Sequence, residues 1–213
     1  VHWTLVIPLK PLTRAKSRLS DAAPDVLRPG LALAFAQDTV AAALACGAVR
    51  DVAVVTDDPL AARELGGLGA RVVPEATAGG GLNAALAHGA SVVRRERPGA
   101  EVAALNADLP ALRPMELARV LHAAEEFPRA FLADAAGIGT TLLTASSGVE
   151  LRPQFGPDSR ARHAASGAAE LLVPDVESVR QDVDTGADLR AAWALGVGPR
   201  TAAAAARLLP ARP

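Results

Sequence analysis

The chain has 213 residues, half of them hydrophobic, and 22 Lys and Arg against 23 Asp and Glu give a formal net charge of −1. That length fits one domain, and a core of that size stands without disulfides or a structural metal. Aromatic residues make up only 3% and Tyr is absent, which removes the stacking platforms of single-strand nucleic-acid binders, and the balanced charge gives no global field to draw in DNA or RNA. The lone Cys46 excludes an intramolecular disulfide and a cysteine-based zinc finger. No apolar run reaches the roughly 18 residues of a membrane span, and the first residues lack a signal-peptide layout. The expectation is a cytoplasmic globular protein, with neither nucleic acid nor membrane as partner, that handles something small.

In chain order, Trp3 to Ile7 is an apolar run with β-branched members that ends at Pro8, and it predicts a buried strand. Two prolines keep Pro8 to Leu12 out of a helix. An Ala- and Leu-rich helix is expected from Gly30 to Ala45, a strand at Asp51 to Val55, and a helix from Pro59 to Leu65 that stops at Gly66-Gly67. Ala70 to Val73 predicts a third strand, and Leu82 to Arg95 an amphipathic helix behind the Gly79-Gly80-Gly81 loop. Glu101 to Leu105 is a fourth strand, and Arg113 to Glu126 a helix with Pro114 at a tolerated early position.

This fourfold β-loop-α alternation predicts a parallel sheet covered by helices, with ligands outside the carboxyl ends of its strands. The segments after Ile7, Val55, Val73 and Leu105 are therefore expected to face one site. The second half predicts adjacent strands at Ala130 to Ala133 and Thr140 to Leu143, a last strand at Arg180 to Val183, and a helix at Gly186 to Leu195. The tail from Arg200 is expected to fray. The fold class is a three-layer, Rossmann-like α/β domain over residues 1–213, with a mostly parallel sheet and an antiparallel extension.

Only two of the 22 basic residues are Lys, and both lie with Arg14 and Arg18 in the segment after the first strand. Lys10, Arg14, Lys16 and Arg18 make a local positive basin suited to phosphates, or a solvated basic loop. The chain has neither the P-loop signature nor G-x-G-x-x-G after that strand, which argues against a P-loop enzyme and a dinucleotide-dependent dehydrogenase. Asp108, after the fourth strand, is placed to hold Mg²⁺ or to serve as an ordinary turn residue. On an extended segment Asp182 and Asp184 point to the same side and can aim at one cation, although Asp184 is also placed to cap the following helix.

Gly79-Gly80-Gly81 before Asn83 suits close approach of a ligand, or a plain surface turn. Gly139-Thr140-Thr141 and Phe155-Gly156-Pro157-Asp158-Ser159 offer N–H and hydroxyl donors for a small carboxylate or phosphate, or simple turns. His163, one helical turn beyond Ser159, is placed to reach the same site or to sit at the surface, with the surface as the expectation, while Phe155 and the two Trp are expected in packing. No nucleophile arrangement stands out. The pattern points to metal-assisted phosphoryl or nucleotidyl transfer without a covalent intermediate.

Taken together and in order, Ile7-Pro-Leu-Lys-Pro11, Ala15-Lys-Ser-Arg-Leu19, Gly81-Leu-Asn-Ala-Ala-Leu86, Asn106-Ala-Asp-Leu-Pro110, Gly139-Thr-Thr141, Phe155-Gly-Pro-Asp-Ser159 with Arg162-His163, and Asp182-Val-Asp-Thr185 resemble the 2-phospho-L-lactate/phosphoenolpyruvate guanylyltransferases of coenzyme F-420 biosynthesis. The resemblance runs from Leu5 to about Leu195. It implies a fold similar to the molybdenum-cofactor guanylyltransferases, Mg²⁺ as cofactor, GTP and phosphoenolpyruvate or 2-phospho-L-lactate as substrates, and hand-over of the product to the next enzyme of the pathway. Carried onto this chain, it implies Asp108 and Asp182 as metal ligands, with Asp108, Lys16 and Arg18 in catalysis. It implies Thr140, Gly156 and Ser159 on the small acid, and Lys10, Lys16, Gly81 and Asn83 on the nucleotide. Asn106-Ala107 and Gly186 depart from the pattern, where relatives often carry a Gly before the first Asp and a Pro after Asp-x-Asp-Thr. Two other readings stay open: a nucleotidyltransferase for another acceptor, such as a sugar phosphate or a molybdopterin, and a non-catalytic nucleotide-binding domain.

Overall fold

The computed structural model describes residues 1–14, 19, 23–76, 79–206 and 208. Four strand–helix pairs open the chain: β1 (Trp3–Pro8) and α1 (Arg28–Leu44), β2 (Val49–Val55) and α2 (Pro59–Gly67), β3 (Arg71–Val73) and α3 (Leu82–Glu96), β4 (Glu101–Leu105) and α4 (Pro114–Ala124). A hairpin of β5 (Arg129–Ala133) and β6 (Thr140–Ala145) follows, then α5 (Ser159–Ala165) and the two-residue β7 (Ala169–Glu170). Three helices close the chain: α6 (Glu177–Arg180), α7 (Gly186–Leu195) and α8 (Pro199–Ala205).

The strands form one sheet in the order β3-β2-β1-β4-β6-β5-β7. β1 pairs in parallel with β2 and β4, and β2 with β3. β6 alone reverses direction, antiparallel to both β4 and β5, and β7 is parallel to β5. The expected architecture, a mostly parallel sheet with an antiparallel extension, is what forms.

Both faces of the sheet are covered, which is why its strands read as unbroken apolar runs. Leu5 and Ile7 of β1 face a core shared with Val40 of α1, Leu65 of α2 and Leu117 of α4. Val6 points the other way, into a core with Val55, Leu86 and Val93 of α3, and Phe131 and Phe155. Each such fully buried side chain contributes about 1.5–3 kcal/mol. A third cluster docks α7 and α8 on α1 through Leu31, Phe35, Val183, Leu189 and Ala205. Buried Asp38 of α1 accepts the Thr201 N–H at 2.7 Å and the Arg200 N–H at 3.3 Å, tying the first turn of α8 to the domain. Residues 199–205 are thus helical, where fraying was expected from Arg200.

Two further expectations are not met. α2 continues through Gly66-Gly67, and the turn falls instead at Gly69, whose φ of +104° suits glycine. Arg180 to Val183 is not a strand. Arg180 ends α6, and the next residues run irregularly, joined to the β4–α4 connection by a backbone bond from Val183 N–H to the Asp108 carbonyl at 3.1 Å. Among the described residues, no helix is long and apolar enough to cross a membrane.

α3 can lie against the sheet because Gly89 has no side chain: a Cβ there would sit 2.5 Å from Val6 Cγ1 and 2.7 Å from Val55 Cγ2. Ala is ordinarily better than Gly in a helix by about 1 kcal/mol. Overpacking against two stiff valines costs about 1–3 kcal/mol and should win. Gly89→Ala is expected to lower the thermal midpoint by a few degrees; a raised midpoint would mean that α3 retreats without loss.

Candidate active site

The ends of β1 and β4, the β5–β6 loop, the Phe155–Ser159 loop and the Asp182–Asp184 segment enclose a cavity of about 600 Å³. It lies at the carboxyl edge of the parallel strands, as the topology requires. The segment after β2 is not part of its wall. Asp58 there caps α2, accepting from the Leu60 and Ala61 N–H groups at 3.0 Å, and its other oxygen takes the Leu12 N–H at 2.9 Å. Burial opposes ionisation of Asp58, but these three donors hold its carboxyl below the usual range. It thereby anchors the basic segment, whose Lys10 and Arg14 are exposed at the cavity.

Asp108 and Asp182 share this cavity although they come from opposite halves of the chain. Thr39, buried on α1, holds the first: its hydroxyl accepts the Leu109 N–H at 3.1 Å and lies 3.2 Å from the Ala107 carbonyl. Val183, 0% exposed, anchors the second, and its N–H bond to Asp108 sets the two segments side by side. Asp184 lines the cavity as well, although the strand on which the two were expected to share a face does not form. The cap of α7 is Thr185, not Asp184: Thr185 and Asp188 form a reciprocal capping box.

Donors line the same cavity. Asp134 accepts the Ile138 N–H at 3.0 Å and the Gly139 N–H at 2.8 Å, which folds the β5–β6 loop tightly. A Cβ on Gly139 would collide with that carboxylate, so the position needs glycine. Thr140 opens β6 beside it, and Gly156, at a φ of +116°, turns the chain towards Ser159 at the start of α5. Thr140, Gly156 and Ser159 all line the cavity.

His163 corrects the expectation of a surface residue. It is 0% exposed, with its ring packed against Phe131 and edge-on to Phe155 at centroid distances of 5.8 and 5.1 Å. Its Nδ1 lies 2.9 Å from Thr140 Oγ1, and its Nε2 accepts the Gln154 N–H at 3.0 Å. Asn83 makes a similar clamp one residue on: its Oδ1 takes the Phe155 N–H at 2.8 Å and its Nδ2 donates to the Phe155 carbonyl at 3.0 Å. Asn83 therefore holds the loop, and neither it nor Gly81, the exposed residue before α3, belongs to the cavity wall. Phe155 and Trp3 are buried in packing, as expected. Lys16 and Arg18 lie outside the described residues.

Asp134 was missed by sequence reasoning; the available signal was an Asp five residues before a Gly inside a predicted hairpin loop. Among the described residues, no three or more His, Cys, Asp or Glu side chains gather as a metal site. Asp108 and Asp182 supply two hard carboxylates in a cavity large enough for phosphates. That donor set suits Mg²⁺, which takes one or two carboxylates and completes its shell with phosphate oxygens and water.

Comparison with known proteins agrees with this geometry. Residues 33–173 match the MobA-like NTP transferase domain. The chain is 77% identical to a phosphoenolpyruvate guanylyltransferase of Streptomyces avermitilis, covering 98% of this chain and 96% of that protein. It is 76% identical to one of Streptomyces coelicolor, covering 98% of each. A nucleotidyl transferase from Methanothermobacter superposes with a TM-score of 0.60 at 19% identity, covering 91% of this chain and 97% of that one, which bears on fold alone.

Burial, together with the charges of Arg129 and Arg162, lowers the His163 pKa to about 4. An unfolded histidine binds its proton near pH 6.5. Between about 6.5 and 4 the unfolded chain therefore binds a proton that the folded chain refuses, and stability falls as pH falls through that window, by on the order of 3 kcal/mol. Denaturant titrations of wild type and His163→Asn are expected to converge as pH drops from 7 to 4, and the wild-type imidazole NMR signals to stay fixed down to about pH 5. A titration near 6.5 would show that the ring is solvated.

Proposed function

Because the chain belongs to the phosphoenolpyruvate guanylyltransferase family of MobA-like NTP transferases, we propose that it transfers GMP from GTP to phosphoenolpyruvate, with pyrophosphate leaving and enolpyruvoyl-2-diphospho-5'-guanosine as product. The observation that carries this reading is a single cavity lined both by Asp108 and Asp182 and by the donor-bearing Thr140, Gly156 and Ser159. The names of the relatives favour phosphoenolpyruvate over 2-phospho-L-lactate, which carries the same charged groups. The product belongs to coenzyme F-420 biosynthesis in this reading, to be passed to the next enzyme of that pathway.

Charge governs the mechanism. The acceptor phosphate is largely ionised at neutral pH, so its oxygen can attack the α-phosphorus of GTP without a general base. A new P–O–P linkage forms as the α–β phosphoanhydride bond breaks and its electron pair leaves with pyrophosphate. Both reactants are polyanions, and the donors must bring them together against repulsion. Asp108 and Asp182 would hold Mg²⁺, which when bound neutralises phosphate charge and polarises the α-phosphorus. Lys10 and Arg14, exposed at the cavity, are placed to attract the triphosphate. Lys16 and Arg18 are assigned to the pyrophosphate from sequence alone. Thr140, Gly156 and Ser159 orient the small acid, which converts the encounter into a positioned approach.

The test is pyrophosphate release in Mg²⁺ with GTP and phosphoenolpyruvate, with 2-phospho-L-lactate as the alternative acceptor and ATP and CTP as controls. Release is expected only with GTP and one of the acids. Asp108→Asn and Asp182→Asn should each lower kcat roughly 10²–10³-fold, the usual cost of one preorganised electrostatic group. Near-normal turnover in either variant would remove that carboxylate from the mechanism. A folded chain that binds GTP without release would turn the reading towards another acceptor or a non-catalytic role.

A further inference from the structure

The hydrogen bonds of one buried ring decide which way a hydroxyl in the cavity wall presents itself. Gln154 N–H can only donate, so His163 Nε2, 3.0 Å away, accepts and carries no proton. A neutral imidazole has one proton, which must then sit on Nδ1. Nδ1 lies 2.9 Å from Thr140 Oγ1, so the ring donates and the hydroxyl accepts. Among the described residues that hydroxyl makes no other hydrogen bond, and Thr140, 4% exposed, is one of the residues that line the cavity. Its own hydrogen is left for whatever enters the cavity.

We propose that His163 is a positioning residue that fixes the Thr140 hydroxyl as a donor towards an anionic oxygen of the small acid. The inference rests on the functional reading above and adds a cause for its preference for an anion. With the opposite tautomer Thr140 would spend its hydrogen on the ring and turn lone pairs towards a carboxylate or phosphate, which only accepts. The ring is well placed to hold one tautomer. Phe131 and Phe155 pack against it, so its orientation is set by contacts as well as by the two hydrogen bonds. Arg129 and Arg162, the charged groups whose fields act on it, both oppose a second proton, so the one-proton ring persists through neutral pH. The same ring ties the start of β6 to the Gln154–Ser159 loop, joining two parts of the wall.

The experiment has two arms. In wild type, long-range ¹⁵N–¹H correlation of the folded protein is expected to show His163 protonated at Nδ1 and bare at Nε2; protonation at Nε2 overturns the proposal. In the kinetic arm, His163→Phe keeps a ring between Phe131 and Phe155 but removes both nitrogens. It is expected to raise KM for phosphoenolpyruvate about ten- to hundred-fold, the scale of one hydrogen bond to a charged group. KM for GTP should stay within about twofold. Thr140→Val should give the same rise, Thr140→Ser little, and His163→Asn, whose amide retains a donor near the Nδ1 position, should recover most of the loss. The double variant His163→Phe/Thr140→Val should be no worse than Thr140→Val alone, because both changes remove one interaction. Additive losses, or an equal rise in KM for GTP, overturn the proposal by showing a general structural role. Absence of any phosphoenolpyruvate-dependent release in wild type defeats the functional reading, whereas release by a wild type with an Nε2-protonated ring defeats only this one.

Discussion

The site depends on one backbone hydrogen bond, from Val183 N–H to the Asp108 carbonyl. A parallel sheet delivers Asp108 to its carboxyl edge without help, because β4 ends three residues earlier. Nothing in strand pairing delivers Asp182, which follows a short helix and precedes another. What places it is a valine with no exposed surface between two aspartates: burying Val183 among Phe35, Leu31 and Leu189 leaves its neighbours at the cavity. The C-terminal helices have their purpose in that arrangement. The capping box of Thr185 and Asp188 starts α7 immediately after the acidic segment, and α8 locks onto α1 through Asp38. α1 in turn grips the other aspartate's neighbours through Thr39. A single helix thus supports both halves of the carboxylate pair.

Carboxylates are an awkward lining for a cavity meant for phosphates, and the awkwardness has chemical content. Asp134 is spent locally on two N–H groups of its own loop, where it shapes the wall. Asp108 and Asp182 face a space of about 600 Å³ that also reaches Lys10 and Arg14. Carboxylates, cations and neutral donors around one space suit, in the functional reading proposed above, an anion accompanied by a divalent cation, and nucleotidyl transfer between two phosphates supplies such a pair.

Most of the fold was legible because it rests on period and punctuation. β4 and α7 have the bounds that their residues predict, Glu101–Leu105 and Gly186–Leu195, because an unbroken apolar run marks the first and a capping sequence opens the second. The hairpin of β5 and β6 was legible for the same reason. The Arg180 to Val183 segment, expected as a strand, is irregular, and its one apolar residue, Val183, packs into a helical cluster rather than a sheet. β7 is two residues long and leaves no period to detect. Of the site, Asp108, Asp182, Thr140, Gly156 and Ser159 were legible as types at strand ends and loops. His163 was not, since the ring that receives it is built by Phe131 and Phe155 from other elements. The resemblance alone placed Asn83 on the nucleotide; in the structure its amide hydrogen-bonds the backbone of Phe155, a pairing that sequence does not show.

Asn83 and His163 act on consecutive backbone groups, and this explains how an irregular loop can serve as a binding wall. Loop backbone ordinarily satisfies itself with water and moves accordingly. Here the Gln154 N–H goes to an imidazole and the Phe155 N–H and carbonyl to an amide, from two different helices. With both residues held, the chain reaches Gly156 with its direction set, and the positive φ available to glycine turns it towards α5. The next residues then present Ser159, 1% exposed, at the cavity. Donors aimed at an anion are worth most when they need no rearrangement as charge moves. Asn83 and His163, polar side chains that sequence alone would offer to a ligand, act in this chain by holding the backbone that lines the cavity.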